Sequence, residues 1–288
     1  WSVSAWDAAA RAGVPLVQVL HDFYLMCVAG TRSRDGRPCA QTCTRCRAFR
    51  ALHKARSGRP AAVVGISDHV LRVARAEGYF RGVPLHRIYN VESPMTTTPE
   101  TLAEPGTPTF GFVGRIAPHK GVETLLDAVD GADLPRGFRL LIAGEGEPDY
   151  VAKLQARSAG LPVEFLGRRM QQEVFPRFSW TVVPSLSDEP LGRVVFESMG
   201  FGVPVIGSRR GGIPEMIEEG RTGHLFEAGD VAGLRHLIET CARAPRPAPR
   251  CEIADSVAGF FDTGRFLDQY AQVYRAAIDG ATLKEAGS

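Results

Sequence analysis

The chain has 288 residues, of which 44% are apolar and 23% are charged, and its formal net charge is +2. This length is enough for two hydrophobic cores, and the composition is ordinary for a globular protein. The near-neutral charge gives no sign of a nucleic-acid binder, and no apolar run of about 18 residues predicts a transmembrane helix. The opening "WSVSAWDAAARAG" lacks a basic region followed by an apolar block, so we expect a cytoplasmic protein.

Short apolar runs alternate with helical patterns along the chain. Near-continuous apolar strands separated by helices are typical of parallel sheets covered on both faces, so we predict a doubly wound α/β fold. The predicted strands are Leu16–Leu20, Ala62–Ile66, Arg87–Tyr89, Thr109–Val113, Arg139–Ala143, Val163–Phe165, Trp180–Val183, Pro204–Ile206 and Gly223–Phe226. The predicted helices are Gly121–Asp130, Tyr150–Ala159, Gln171–Phe178, Gly192–Gly200, Ile213–Glu219, Val231–Arg243 and a last one over about Thr263–Ala277.

Two breaks in composition predict the domain boundaries. Prolines, threonines and acids replace the apolar pattern in "NVESPMTTTPETLAEPGTPT", where we place a linker at residues 93–107. "RAPRPAPR", residues 243–250, is too rich in proline to be helical. The predicted parts are an N-terminal Rossmann-like domain at 1–92, a C-terminal one at 108–262, and a helix within 263–288 that packs back towards the N-terminal domain. Residues 1–92 have room for about half of such a domain, so we expect preceding residues or a second polypeptide to complete it.

The stretch "FGFVGRIAPHKG" places two cations after a strand. In open α/β sheets, ligands bind beyond the carboxyl ends of the strands, which is where Arg115 and Lys120 stand. A forked guanidinium and a flexible ammonium suit a diphosphate. Two solvated loop cations would give the same pattern.

The stretch "SDEPLGRVVFESMG" places Glu189 before a predicted helix start at Gly192 and Glu197 in the second turn. Glycine allows a close backbone approach there, and the N–H groups and dipole of a helix start favour phosphate. A carboxylate at Glu197 can accept hydrogen bonds from the vicinal hydroxyls of a ribose, and Glu189 is free to face a cleft. Simple balancing of the helix dipole is the alternative.

These stretches, together with "GFGVPVIGSRRGGIPEMIEEGRTGHLF", "LLIAGEGEPDY" and "VEFLGRR", strongly resemble the retaining glycosyltransferases of family 4 over nearly all of Pro108–Phe226. The resemblance implies a GT-B-like fold of two Rossmann-like, doubly wound parallel-sheet domains, the N-terminal one incomplete here. It implies a sugar donor carried on UDP or GDP, transfer with retention, and no divalent metal. A glycan, a lipid-linked sugar and a small molecule all stay open as acceptors.

The resemblance also implies roles for matching positions. Arg115 and Lys120 would neutralise the donor diphosphate, Glu197 would bind the ribose, and Glu189 would face the transferred sugar. Contacts of backbone with phosphate, and a loop that edges the base, are implied at Leu191, Gly192, Gly167, Arg168 and Met170. His21 follows the strand in "VPLVQVLHD", where the family places a histidine that faces the sugar across the cleft, and a core histidine is the alternative.

Two other classes of function stay open. The first is a nucleotide-sugar-binding fragment or subunit without turnover, because no glycine-rich loop precedes His21. The second and weaker is a nucleotide-sugar epimerase. The basic run "RCRAFRALHKAR" is expected to be a solvated helix face, and a peripheral contact with the inner face of a membrane or with a lipid-linked acceptor is its alternative.

A cysteine-rich insertion covers residues 27–46. Cys27, Cys39, Cys43 and Cys46 have the spacing C-x11-C-x3-C-x2-C, which suits a tetrahedral thiolate site for a structural Zn²⁺. An iron–sulfur cluster and unliganded thiols are the alternatives. Further along, Ser67 has the residue type of a helix N-cap in "VVGISDHVLRVARAEG".

Overall fold

The computed structural model describes residues 3–34, 37–39, 41–92 and 106–285. The predicted linker at 93–107 lies outside these ranges except for its last two residues. The chain divides into two compact units. Unit 1 comprises the described parts of Trp1–Ser93, Asp188–Leu191 and Phe260–Ser288, and unit 2 comprises those of Pro94–Ser187 and Gly192–Gly259.

Helices and strands alternate along most of the described chain. The helices are α1 Ser4–Arg11, α2 Thr44–Ala55, α3 Asp68–Ala76, α4 Val122–Val129, α5 Pro148–Arg157, α6 Gln171–Val174, α7 Arg193–Gly200, α8 Val231–Arg243, α9 Arg250–Asp255 and α10 Thr263–Glu285. The strands are β1 Val17–Leu20, β2 Ser33–Arg34, β3 Arg37–Pro38, β4 Ala62–Gly65, β5 Leu85–Arg87, β6 Thr109–Val113, β7 Arg139–Ala143, β8 Val163–Gly167, β9 Trp180–Val183, β10 Val205–Ser208 and β11 Gly223–Phe226.

Unit 2 is built on a six-stranded sheet in the order β11-β10-β9-β6-β7-β8, in which every pairing is parallel. The inner strands are buried on both faces, as their near-continuous apolar residues predict. The chain runs outward from β6 through β7 to β8 and then returns to β9 on the other side of β6. The junction between β6 and β9 is therefore the topological switch point, where doubly wound sheets bind ligands.

Unit 1 contains a three-stranded parallel sheet in the order β1-β4-β5 and a short antiparallel hairpin of β2 and β3. Helix α10 packs on the three-stranded sheet, where Val273 lies in one buried cluster with Val64 and Ile88. Phe266 and Tyr270 of the same helix pack against that cluster. Among the described residues, no helix is long and apolar enough to cross a bilayer.

The prediction of a doubly wound parallel α/β fold is confirmed, and several element boundaries differ. Strand β5 is Leu85–Arg87 rather than Arg87–Tyr89, because the pairing with β4 sets Val63 opposite Leu85. The predicted helix Gln171–Phe178 ends as an α-helix at Val174 and continues as a 3-10 turn. Pro176 lacks the N–H that an α-helix needs there.

The predicted helix Ile213–Glu219 was wrong beyond its first turn. Only Ile213–Glu215 is helical, as a 3-10 turn. The amide of Glu218 donates to the hydroxyl of Thr222 at 2.9 Å, and the carbonyl of Glu218 accepts from the amide of Arg221 at 3.0 Å. These bonds turn the chain towards β11 where a helix would have continued.

Candidate active site

The loops that follow β6 and β9 meet at the switch point of unit 2. The amide of Leu186 donates to the carbonyl of His119 at 2.9 Å, which ties the second loop to the first. Gly121 has φ 74°, and a β-carbon on it would lie 1.9 Å from the carbonyl oxygen of Pro184. The backbone of the Lys120 loop therefore approaches the end of β9 as closely as glycine alone permits.

Glycines also bring the ends of β6, β7 and β8 together. The amide of Gly114 donates to Ala143 at 3.0 Å, and the amide of Gly144 donates to Gly167 at 2.9 Å. A β-carbon on Gly144 would lie 1.8 Å from the carbonyl oxygen of Gly114. The side chain of Arg115 is exposed beside this stack of backbone.

The predicted phosphate end of the site is the start of α7. Gly192 is its N-cap residue, with φ 83° and ψ 52°, and no side chain caps the helix. An uncapped helix start presents backbone N–H groups and the positive end of the helix dipole, both of which favour an anion. Lys120 is half-buried in the 3-10 turn Pro118–Lys120, which precedes α4.

Glu197 is 8% exposed, although it is an acid in the second turn of α7. Its Oε1 lies 3.2 Å from the guanidinium of Arg193, one turn earlier on the helix. A buried carboxylate needs such compensation, because its removal from water is unfavourable. The sequence places this acid next to the uncapped helix start, where the hydroxyls of a bound nucleotide could reach it.

Glu189 and Leu191 belong to the segment Asp188–Leu191, which is grouped with unit 1. Glu189 is half-buried and Leu191 is buried. The neighbours of Glu189 are held within unit 1, since Asp188 is ion-paired and the carbonyl of Pro190 accepts a hydrogen bond from the hydroxyl of Ser67.

The partners of Asp188 are residues that the sequence motifs did not single out. Arg32 Nε lies 3.9 Å from Asp188 Oδ2, and His69 Nε2 lies 3.5 Å from the same oxygen. Nothing in the sequence indicated these contacts, because Arg32, His69 and Asp188 lie in distant segments that come together only in the folded chain.

His21 is exposed at the carboxyl end of β1, so it is not a core histidine. It lines a cavity of about 500 Å³ in unit 1, together with Asp22 and Tyr24. The carboxylate of Asp22 accepts a hydrogen bond of 2.7 Å from the amide of Tyr24, which fixes the turn that follows the strand.

The predicted base-side residues lie at the carboxyl end of β8. Gly167 has φ 66°, and Gly167, Arg168 and Met170 are all exposed. The amide of Met170 donates to the carboxylate of Glu173 at 2.7 Å, which orders the start of α6. An exposed methionine on an ordered turn can cover the face of a planar ring.

The four cysteines of the insertion are free thiols. The backbone N–H of Cys46 lowers the pKa of the Cys43 thiol, whereas burial raises the pKa of the Cys46 and Cys39 thiols. Across the described ranges, no group of three or more histidine, cysteine, aspartate or glutamate side chains is arranged so that it could hold a metal ion. The zinc site at Cys27, Cys39, Cys43 and Cys46 stays a prediction.

The fold is that of the GT-B glycosyltransferases. The chain superposes on Alr3699/HepE of Anabaena, crystallised in complex with UDP, with a TM-score of 0.78 and 22% sequence identity. The match covers 95% of this chain and 76% of that structure. The expectation of a GT-B-like architecture with parallel sheets is confirmed.

One family model matches part of the sequence. Residues 107–243 match the family described as Glycosyl transferases group 1.

Curated relatives are similar over parts of their length. The chain is 39% identical over 134 residues to the sulfoquinovosyl transferase SQD2 of Arabidopsis thaliana, which is 44% of this chain and 25% of that protein. It is 31% identical over 252 residues to a GDP-mannose-dependent alpha-mannosyltransferase of Mycobacterium tuberculosis, which is 83% of this chain and 63% of that protein. The chain thus spans less than two thirds of each of these relatives.

Proposed function

We propose that the chain is a retaining glycosyltransferase of family 4 that transfers a sugar from a nucleoside diphosphate to an acceptor hydroxyl. The observation that carries the proposal is the junction of β6 and β9. There the loop of Arg115 and Lys120 is hydrogen-bonded to the loop that leads to α7, and that helix combines an uncapped start with a buried Glu197. Cations, helix N–H groups and a carboxylate are what a diphosphate and a ribose require.

In the proposed binding mode, Arg115 and Lys120 neutralise the diphosphate and the backbone of Leu191 and Gly192 contacts it. Glu197 accepts hydrogen bonds from the ribose hydroxyls. The base lies against the turn of Gly167, Arg168 and Met170. The exposed turn at Gly167 suits a base. The half-buried Lys120 suits a phosphate, and the buried Glu197 suits a ribose.

The proposed reaction breaks the bond between C1 of the sugar and the β-phosphate oxygen. A bond forms between C1 and the acceptor oxygen on the same face, and the acceptor proton passes to the departing phosphate oxygen. In this proposal Glu189 contacts the transferred sugar, and His21 faces the same sugar. The negative charge that develops on the diphosphate is stabilised by Arg115 and Lys120, so the proposed reaction needs no divalent metal.

UDP and GDP are the proposed carriers of the sugar. One structural neighbour was crystallised with UDP, and one relative is named for its dependence on GDP-mannose. A glycan or a lipid-linked sugar is the proposed acceptor, in keeping with a relative from Rhizobium meliloti that is named for lipopolysaccharide core biosynthesis.

The test is a calorimetric titration of the chain with UDP, GDP, ADP and dTDP, each with and without EDTA. We expect saturable binding of UDP or GDP that EDTA leaves unchanged. Binding of none of the four nucleotides would overturn the assignment of the donor site.

The stereochemical proposal has its own test. Many transferases pass the donor sugar slowly to water, so the nucleotide sugar whose nucleotide binds is incubated with the chain and followed by NMR. With UDP-glucose, whose glucosyl group has the α configuration, retention releases α-glucose before mutarotation. First release of β-glucose would contradict retention, and binding without any turnover would favour a binding fragment over an enzyme.

A further inference from the structure

We propose that Arg32, His69 and Ser67 are positioning residues that hold Glu189 by fixing the residues on both sides of it. The inference rests on the proposed role of Glu189 at the sugar. The insertion at residues 27–46 has no role in the proposed function. Because it supplies Arg32, it acquires one in this inference.

The residue before Glu189 is fixed by charge. Asp188 Oδ2 lies 3.9 Å from Arg32 Nε and 3.5 Å from His69 Nε2. The side chains of Arg32, His69 and Asp188 are only 9%, 14% and 19% exposed. The charges of Arg32 and Asp188 are largely removed from water, so their attraction is screened less than at an exposed surface and restrains the segment more than a surface ion pair would.

The residue after Glu189 is fixed by a hydrogen bond to its backbone. The hydroxyl of Ser67 donates to the carbonyl of Pro190 and accepts from the amide of Val70 at 3.1 Å. Ser67 is fully buried as the N-cap residue of α3. The same hydroxyl therefore starts a helix and holds the loop, and it cannot rotate without losing one of the two bonds.

Both basic side chains, those of Arg32 and His69, pack against one buried aromatic ring. The guanidinium carbon of Arg32 lies 5.8 Å from the centre of the Phe23 ring. The His69 ring meets the same ring edge to face, with centroids 5.8 Å apart. Phe23 is fully buried, and the carboxylate of Glu77 lies 3.2 Å from the guanidinium of Arg32. Arg32 and His69 are thus held by contacts other than those with Asp188.

The consequence for catalysis is a carboxylate with little freedom. A displacement of about 1 Å at a reacting centre can cost about 100-fold in rate, so a glutamate on a loop benefits from anchors on both sides. Loss of one anchor should lower turnover far more than the affinity for the nucleotide, because Leu191 alone among the proposed nucleotide contacts belongs to the segment Asp188–Leu191.

The experiment compares Asp188→Asn, Arg32→Gln and the double variant with the unaltered chain. The matched control is Asp68→Asn, which removes the charge of an exposed aspartate on α3 that lies next to His69 and whose partner is Arg87 at 3.3 Å. For each protein we would measure the Kd for UDP or GDP, the kcat for hydrolysis of the matching nucleotide sugar, and hydrogen–deuterium exchange of the peptide that spans residues 186–192.

We expect Asp188→Asn and Arg32→Gln each to lower kcat about 10- to 100-fold and to speed exchange in that peptide, with Kd within twofold of the unaltered chain. The loss of kcat in the double variant should be much smaller than the product of the two single losses, because both changes break the contact between Arg32 and Asp188. Unchanged exchange and unchanged kcat in both single variants would overturn the proposal, as would equal losses in Asp68→Asn.

Failure of the proposed function gives a different result. If the unaltered chain binds no nucleotide and shows no turnover, the glycosyltransferase assignment fails, and the exchange measurement still decides whether Arg32 and Asp188 order the loop. Faster exchange with normal kcat would show an ordered loop without a catalytic task and would overturn the positioning of Glu189.

Discussion

Arg193 and Glu197 form an ion pair of 3.2 Å across one turn of α7, and the two side chains are in different environments. The guanidinium is about half exposed, whereas the carboxylate is nearly buried. The arginine can therefore leave its partner at little cost, and a ligand that offers hydroxyl donors can take its place. This asymmetry supports the proposed role of Glu197 as an acceptor for the ribose hydroxyls.

Replacement of Glu197 by glutamine should weaken nucleotide binding. A hydrogen bond to a charged group is worth about 1.5–3 kcal/mol, so we expect a rise in Kd of about 10- to 100-fold in a calorimetric titration with UDP or GDP. Glu218→Gln is the control, since that carboxylate pairs with Arg221 on the exposed surface. A similar loss of affinity in the control variant would argue against a ribose contact at Glu197.

Replacement of Glu189 by glutamine should spare binding and slow turnover. A group that meets only the sugar contributes to the transition state, so we expect kcat to fall about 100-fold while the Kd for the free nucleotide stays the same. Initial rates with the nucleotide sugar and titration with the nucleotide alone give the two quantities. Equal losses of affinity in the Glu189 and Glu197 variants would contradict the proposal that the two acids have different roles.

Removal of either cation at the switch point should weaken binding of the diphosphate. We expect Arg115→Ala and Lys120→Ala each to raise the Kd of UDP or GDP about tenfold, and the loss should shrink as salt rises. Lys153→Ala is the control, because that ammonium is exposed on α5 and pairs with Glu123 at 3.1 Å. Normal affinity in both site variants would leave the two cations as ordinary solvated side chains.

Two effects of replacing Gly121 on stability can be separated: the clash with Pro184 and the strain of the positive φ angle. Gly121 and Gly220 have nearly equal φ values, 74° and 75°, but a β-carbon would strike Pro184 at the first and meet nothing within 4 Å at the second. We expect Gly220→Ala to lower the free energy of unfolding by about 1 kcal/mol, as a left-handed residue does, and Gly121→Ala to lower it several times more. Chemical denaturation measures both, and equal costs would show that the approach to Pro184 does not matter.

The four-cysteine hypothesis is decided by metal analysis. If the spacing reflects a structural zinc site, the purified chain should contain about one zinc per molecule, and Cys43→Ser should release it. Cys251→Ser is the control, because that thiol lies on α9, outside the insertion. Absence of both zinc and iron from the unaltered chain would remove the metal site and leave four free thiols.

The sheet of unit 2 could be predicted from sequence because its strands are short apolar runs between strong turn residues. β6, β7, β9 and β11 have the predicted limits to the residue. The change from α-helix to 3-10 helix near Pro176 was not predicted, because the residues on both sides of the proline have a helical pattern. The turn at Glu218 depends on the Thr222 hydroxyl, a contact that no periodicity encodes.

The candidate site divides in the same way. Arg115, Lys120 and Gly192 could be placed because each stands directly after a predicted strand or before a predicted helix. The ion pair between Arg193 and Glu197 was also within reach, since four residues separate its partners on a helix. Asp188 and its partners could not be found, because folding alone brings an insertion and a distant loop together.

The glycines at the ends of β6 and β7 restrict how this site can change by mutation. At residues 144 and 146, a β-carbon would lie 1.8 Å from Gly114 and 2.0 Å from Ile116, in each case against backbone oxygen, so no other residue fits. The exposed positions beside them, Arg115 and Glu145, have no such limit. New specificities are therefore expected to arise by exchange of exposed side chains such as Glu145, over a backbone that stays constant.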